Sequence, residues 1–270
     1  MVTCRLMGGL GNTLFQVANT ISLAADNNSN AIFTCHMYKG NIQTHKKYDG
    51  TIISKRDEPT FYADSIFRKL QWTDDISFIE HIYTESAFTY SQIPYKPNTQ
   101  LHGHFQSEKY FNHNRELILD TFDIPTHVNI LIQKKYENIL QGNTVSIHIR
   151  RGDYVHISDR HPVQSIDYYK KALEHFTDKE YTFLVFSDDI EWCKENLSSD
   201  FVFVDGNTDY VDLYLMSLCD HNIIANSSFS WWGAWLNKNN NKKIVAPSNW
   251  FGPSKGIDTK DLIPTYWEVI

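Results

Sequence analysis

Cysteine is scarce. The four thiols, Cys4, Cys35, Cys193 and Cys219, are scattered with no C-x-x-C pair. That spacing excludes a zinc ribbon and a dithiol redox motif, and reads as reduced thiols in a cytosolic chain. Long hydrophobic runs are missing as well: no stretch reaches the roughly 18 apolar residues that a membrane-spanning helix needs. The uncharged segment between Arg5 and Asp26 is interrupted by Gly8, Gly9, Gly11, Asn12, Gln16 and Asn19, so it reads as buried structure and not as a signal peptide. The sequons at Asn27, Asn196 and Asn226 then carry no meaning. Positive charge is short too, with 25 Lys and Arg against 32 acids and a net charge of −7. Nucleic acid is an unsuitable partner for such a chain, and an anionic ligand would need a local basic pocket. Finally, no Asp-x-Asp pair occurs; Ser187-Asp188-Asp189 comes nearest, so no acidic metal clamp is apparent.

What is present is the composition of a folded α/β protein, 41% hydrophobic and 21% charged over 270 residues. Residues 145–149, 181–186, 201–204, 223–225 and 244–246 read as strands. Between them, 165–176, 209–218 and 228–236 carry helical periodicity, which predicts a parallel sheet with right-handed crossovers. The chain opens in the same way, with a strand at 2–7 and a helix over 13–25 that places Leu14, Val17, Ala18, Ile21 and Ala25 on one face. Between about 38 and 100 the pattern weakens, and loops with irregular helices are expected there. A boundary near Gly142-Asn143, after a polar helix over 126–140, divides the chain into two Rossmann-like domains, 1–142 and 143–270. No internal repeat is visible.

Three motifs can carry chemistry. Gly8-Gly9-Leu10-Gly11-Asn12 lies between a strand and a helix, where glycines let a ligand approach the backbone and a helix start offers free amides. It matches a dinucleotide fingerprint only in part, because position 14 is Leu14 and no ribose-binding acid follows about 20 residues on. A tight turn with no ligand is the structural alternative. The second motif is the strand Val145 to Ile149 running into Arg150-Arg151-Gly152-Asp153-Tyr154. Strand alternation sends Val145, Ile147 and Ile149 to one side, and His148 and Arg150 to the other, at the carboxyl end where such sheets bind ligands. Arg150 can present its fork to a phosphate, and His148 can offer a ring nitrogen; alternatively Asp153 holds Arg150 or Arg151 in an ion pair. The third motif, Asn226-Ser227-Ser228-Phe229 at a strand end before a helix, makes a cup of amides and hydroxyls suited to pyrophosphate, with Asp212 on the preceding helix. A serine N-cap and buried Trp231 and Trp232 are the plainer reading.

His148-Ile-Arg150-Arg151-Gly152-Asp153-Tyr154 resembles the H-x-R-R-G-D-Y motif of the α1,2-fucosyltransferases, which α1,6- and protein O-fucosyltransferases share in looser form. Gly8 to Gln16, Phe105 to Phe111 and Asn226 to Trp235 resemble further segments of that family in the same order, with Thr13 where the family has Gln. The resemblance implies a GT-B architecture, with two Rossmann-like domains facing a central cleft. It implies inverting, metal-independent transfer of fucose from GDP-β-L-fucose to the 2-hydroxyl of a terminal galactoside. On it, His148 and Asp212 would read the guanine and Arg150 would bind the β-phosphate, with Arg151 beside it. Asn226, Ser227, Ser228 and Phe229 would cradle the pyrophosphate, while Gly9, Gly11 and Asn12 would close over the donor from the first domain. Candidates to take the acceptor's proton are Asp153, which could instead only orient Arg151, and His156, Asp159, Glu108 and His104; a weak base can suffice, so a dedicated one need not exist. A start close to the first glycine turn suits a bacterial or viral cytosolic setting. Three other readings stay open: an NAD-dependent oxidoreductase built on the glycine turn, a transferase forming a different fucosyl linkage, and an inactive carbohydrate-binding protein.

Overall fold

The computed structural model describes residues 1–34 and 62–270, together with the backbone of strands at 45–46 and 52–54. Cys35 and most of the segment 35–61, including Lys47 and Arg56-Asp57-Glu58-Pro59, lie outside the described residues. The chain forms two compact units, Met1–Pro125 with Lys260–Leu262, and Thr126–Thr259 with Ile263–Ile270.

In the first unit β1 (Val2–Cys4) leads into α1 (Leu10–Asp26). Then come β2 (Phe33–Thr34), an antiparallel backbone pair β3 (His45–Lys46) and β4 (Ile52–Ser54), and β5 (Trp72–Thr73). β6 (His81–Thr84), β7 (Thr99–His102) and α2 (Arg115–Thr121) follow. Strands pair in parallel in the order β1-β7-β6, and β2 pairs in parallel with β5. Strands β5, β6 and β7 fall where loops and irregular helices are expected. The central one, Thr99-Gln100-Leu101-His102, has a single apolar residue, yet Thr99 and Gln100 are buried between its neighbours. Hydrophobic alternation cannot see a strand of that composition.

The second unit begins at α3 (Thr126–Leu140), whose buried Val128, Ile132 and Tyr136 explain why the division falls ahead of this helix instead of at 142/143. β8 (Thr144–Ile149), α4 (Ile166–Leu173), β9 (Thr182–Ser187) and α5 (Ile190–Asn196) follow. After them come β10 (Val202–Phe203), α6 (Asp209–Leu218), β11 (His221–Ile223), α7 (Ser228–Trp235), β12 (Ile244–Ala246) and β13 (Glu268–Val269). The six strands are parallel in the order β10-β9-β8-β11-β12-β13. The order therefore reverses direction between β8 and β11, the switch point of a doubly wound sheet, and the crevice at the carboxyl ends of those two strands is where such sheets receive ligands.

Strand β8 is buried on both faces. Val145, Ile147 and Ile149 join Tyr169, Ala172 and Phe176 of the following helical segment in one core cluster, a burial worth roughly 1.5–3 kcal/mol per aliphatic side chain. On the other face Ser146 accepts a hydrogen bond from Asn222 Nδ2 at 2.7 Å, which ties it across to β11. Trp231, Trp232 and Trp235 of α7 are fully buried and pack against one another, with Trp231 also meeting Trp267 at 5.3 Å. They are core, as the plainer reading of that motif has it.

Candidate active site

Arg150 is the first residue past the carboxyl end of β8. Its guanidinium spans two carboxylates, Asp153 Oδ1 at 2.5 Å and Asp188 Oδ2 at 2.7 Å, and lies 5.2 Å from the centre of the Tyr154 ring. Burial works against the charge, but Asp188 and Asp153 outweigh it and raise its pKa above the ordinary arginine value. Asp188 Oδ1 also accepts the Arg151 backbone N–H at 2.9 Å, so one carboxylate fixes both the chain and the side chain at the strand end. A Cβ on Gly152 would collide with the Asp188 carboxylate, which explains the glycine in this turn.

Arg151 takes a different course. Its Nε donates to Asp189 Oδ2 at 2.9 Å, and its guanidinium stacks 3.9 Å from the centre of the Trp192 ring. Asp153 therefore holds Arg150, and Arg151 is held by Asp189. Asp188 and Asp189 show in the sequence only as the nearest approach to an acidic metal clamp; their pairing with the arginines follows from register, since Ile149 pairs with Ser187 and the residues after each strand emerge side by side.

His148 precedes them on the face opposite the isoleucines. It is buried, its ring centre 5.5 Å from that of Phe229, and its Nδ1 has no hydrogen-bond partner among the described residues. Burial, with Arg150 adding to it, pushes its pKa down to about 3, so the imidazole is neutral at working pH. An unpaired buried ring nitrogen costs on the order of 1–3 kcal/mol, which a ligand's polar group would remove.

The loop after β11 closes the other side. Ser227 Oγ accepts the Phe229 N–H at 3.3 Å and caps α7, whose first turn carries no acid. Asn226 uses its amide N–H groups on Pro162 O at 2.9 Å and Trp250 O at 3.0 Å, a structural tie that leaves its buried Oδ1 without a partner among the described residues. Tyr154 donates from its hydroxyl to Asn226 O at 3.3 Å, joining the arginine turn to this loop. Ser228 and Phe229 are half-buried in the first turn of α7.

Asp212 sits in a separate network on the first turn of α6. Its Oδ1 accepts from Asn207 Nδ2 at 2.8 Å, while Asn207 also donates to the Tyr136 hydroxyl and accepts from Lys135 Nζ. Burial lifts the carboxyl to about 6 against the lowering effect of the Asn207 bond. Asn207 and Tyr136 are partners that sequence reasoning misses, since they come from a loop and from α3.

In the first unit the glycine turn is built for approach. Gly8 has φ +81°, and a Cβ on it would run into the Asn12 side chain, which accepts from Gln106 Nε2 at 2.7 Å. Gly9 begins α1 with open space where a Cβ would stand, whereas Gly11 is buried in the helix. Gln16 pins the entry to the turn, accepting the Met7 N–H at 2.9 Å and donating to Met7 O at 3.2 Å; this is why β1 stops at Cys4 and does not run to Met7. Thr13 donates to Leu10 O inside the helix. Glu85 accepts the amides of His104 and Phe105, holding buried Phe105 at φ +51°, a backbone conformation that a bulky residue seldom adopts.

Among the described residues no group of three or more His, Cys, Asp and Glu is placed to hold a metal ion, and no helix is long and apolar enough to cross a membrane. Fold and site together define an α/β protein with parallel sheets whose charged groups gather at a switch-point crevice. The family model of glycosyl transferase family 11 matches residues 1–260, and the chain belongs to that family. An alpha-1,2-colitosyltransferase of Escherichia coli is 32% identical over 290 residues, covering 99% of this chain and 98% of that protein. The galactoside alpha-(1,2)-fucosyltransferase 2 of rat is 27% identical, over 87% of this chain and 67% of its own length. The fold matches the crystal structure of fucosyltransferase NodZ from Bradyrhizobium with a TM-score of 0.51 over 86% of this chain and 91% of that one, at 13% identity. The chain is thus a glycosyltransferase, and nothing in these similarities favours an oxidoreductase.

Proposed function

We propose that this chain transfers L-fucose from GDP-β-L-fucose to the 2-hydroxyl of a terminal galactoside, with inversion to an α1,2-fucoside. The observation that carries it is the arginine presented at the switch point beside a buried, neutral His148 and the start of α7. The acceptor oxygen attacks the anomeric carbon, the bond to the β-phosphate oxygen breaks, and GDP departs with growing negative charge. Arg150 meets that charge, helped by the amides at the start of α7; preorganised donors of this kind are worth about 10²–10³ in rate each. As Arg150 turns to the diphosphate, Asp153 loses its partner and becomes free to take the acceptor's proton. His148 and Asp212 read the guanine, and Ser227, Ser228 and Phe229 line the diphosphate. Arg151 serves the site through the backbone it anchors. Gly9, Gly11 and Asn12 are further donor contacts in this reading.

A second reading concerns the donor sugar alone. The Escherichia coli relative named for colitosyl transfer matches over nearly the full length of both chains. Colitose is fucose without its 3-hydroxyl, so the same linkage chemistry serves either donor. Incubation with GDP-fucose or GDP-colitose and a panel of galactosides, with the product linkage read by NMR, tests both readings. An α1,2-fucoside is the expected product; transfer from GDP-colitose alone selects the second reading, and an oxygen other than O2 overturns the linkage.

A further inference from the structure

Beyond Tyr154 the rings continue in a column with a cation at each end. Arg150 lies over Tyr154 at 5.2 Å, Tyr154 stacks on His161 at 4.8 Å, His161 meets Phe251 edge-on at 5.4 Å, and Lys255 lies 4.9 Å from the Phe251 centre. The two loops that supply the column are tied by backbone. Gly252 N donates to Arg160 O at 2.9 Å, Ser254 Oγ donates to Asp159 O at 2.6 Å, and a Cβ on Gly252 would run into Asp159 O. Arg160 and Lys255 therefore stand on adjoining turns next to His161.

The two ends differ in how their charge is met. Arg150 has Asp153 and Asp188, whereas among the described residues neither Arg160 nor Lys255 has a carboxylate partner. The charged groups facing His161 are Lys255, Arg150 and Arg160, with Asp153 the single acid, and that acid already holds Arg150. Burial and those cations hold the imidazole below its ordinary value, and Arg160 adds to the burial that lowers the Lys255 ammonium. His161 Nδ1 is buried with no hydrogen-bond partner among the described residues. Arg160 and Lys255 are both exposed, where an anion from solvent can reach them.

We propose that Arg160, His161 and Lys255 form a subsite for a negatively charged group, a phosphate or a carboxylate, carried by the acceptor glycan near the sugar that is modified. The proposal rests on the transferase reading, because it makes the far end of the column the acceptor side. The diphosphate of the donor has Arg150 and α7 at the near end, and the unanswered cations lie a ring stack away from them. A neutral glycan would leave those cations uncompensated, while one acidic substituent would answer them.

Calorimetry on the GDP-saturated chain tests this without turnover. The probes are a neutral β-galactoside disaccharide, the same disaccharide carrying a terminal diphosphate, and the same disaccharide carrying a uronic acid; the two charged arms separate a lipid-diphosphate source from an acidic-sugar source. At least one charged probe is expected to bind about tenfold more tightly than the neutral one. The double substitution Arg160→Gln and Lys255→Gln is expected to erase that preference while leaving the affinity for GDP and for the neutral probe unchanged. Equal binding of all three probes, no binding of either charged probe, or a preference that survives the double substitution overturns the subsite. Loss of GDP affinity in the variant also overturns it, since the cations then serve the donor. Failure of fucosyl transfer to every probe, with the binding preference intact, counts against the transferase reading alone.

Discussion

Asp212 titrates where few carboxylates do, and if it reads the guanine as proposed, GDP binding has a particular pH dependence. Burial lifts its pKa from the ordinary 3.8 to about 6, so it is ionised at pH 7.5 and mostly protonated at pH 5. A guanine edge offers N–H donors, which a carboxylate accepts and a protonated acid accepts poorly. One unit below its pKa about a tenth of Asp212 remains ionised, so GDP affinity is expected to fall about tenfold, or about 1.4 kcal/mol. Asp212→Asn keeps the shape and the bond from Asn207 but removes a charged acceptor, worth about 1.5–3 kcal/mol, and is expected to weaken GDP about 10- to 150-fold at pH 7.5. The terminal phosphate of GDP also titrates near pH 6, but equally in both proteins. The informative quantity is therefore the ratio of the two affinities by calorimetry from pH 8 to 5, which should shrink as Asp212 protonates. A ratio constant over that range, or a variant that binds as the parent does at pH 8, refutes guanine reading by Asp212.

Arg150→Ala should abolish transfer, a loss of at least about 10² in kcat, while circular dichroism and Tm stay close to those of the parent. Arg150→Lys should rescue little, since one ammonium cannot span Asp153 and Asp188 as the fork does; near-normal turnover of either variant contradicts the phosphate role. Gly152→Ala should displace Asp188 and lower kcat more than it lowers Tm, and a wild-type kcat would show that the clamp is dispensable. His148 predicts an acid-sensitive fold. Its pKa is about 3 when folded against the ordinary 6.5, so the unfolded chain binds the extra proton and stability falls as pH drops from 6.5 toward 3, by about 1.4 kcal/mol per unit. Asp212 acts oppositely, adding stability as pH falls from about 6 to 3.8. Denaturant midpoints of parent and His148→Gln at pH 7 and 4.5 isolate the histidine, and parallel shifts in the two proteins would deny it.

The second unit was legible because its signals are local. Asp209–Leu218 and Ile244–Ala246 lie where periodicity places them, and His148 and Arg150 stand on the face that alternation assigns. Helix α5 and strand β13 are too short to show a period. The partners of the arginines escaped for a different reason. Asp188, Asp189 and Trp192 are brought to them by the register of β8 on β9, a fact about pairing that neither strand states alone. His161 and Asn207 come from loops, where only tertiary ties such as Asn226 to Pro162 decide which side chains meet.

If Arg150 binds the donor's diphosphate as proposed, the double grip on it makes that site an exchange site. An incoming anion does not fall onto a bare cation but must trade places with an aspartate. A chloride or a lone carboxylate replaces like with like and gains little, whereas a diphosphate brings more charge and more acceptor oxygens than the carboxylate it evicts. The two aspartates thus set a threshold: simple monoanions of the surrounding medium stay below it, and a nucleoside diphosphate passes.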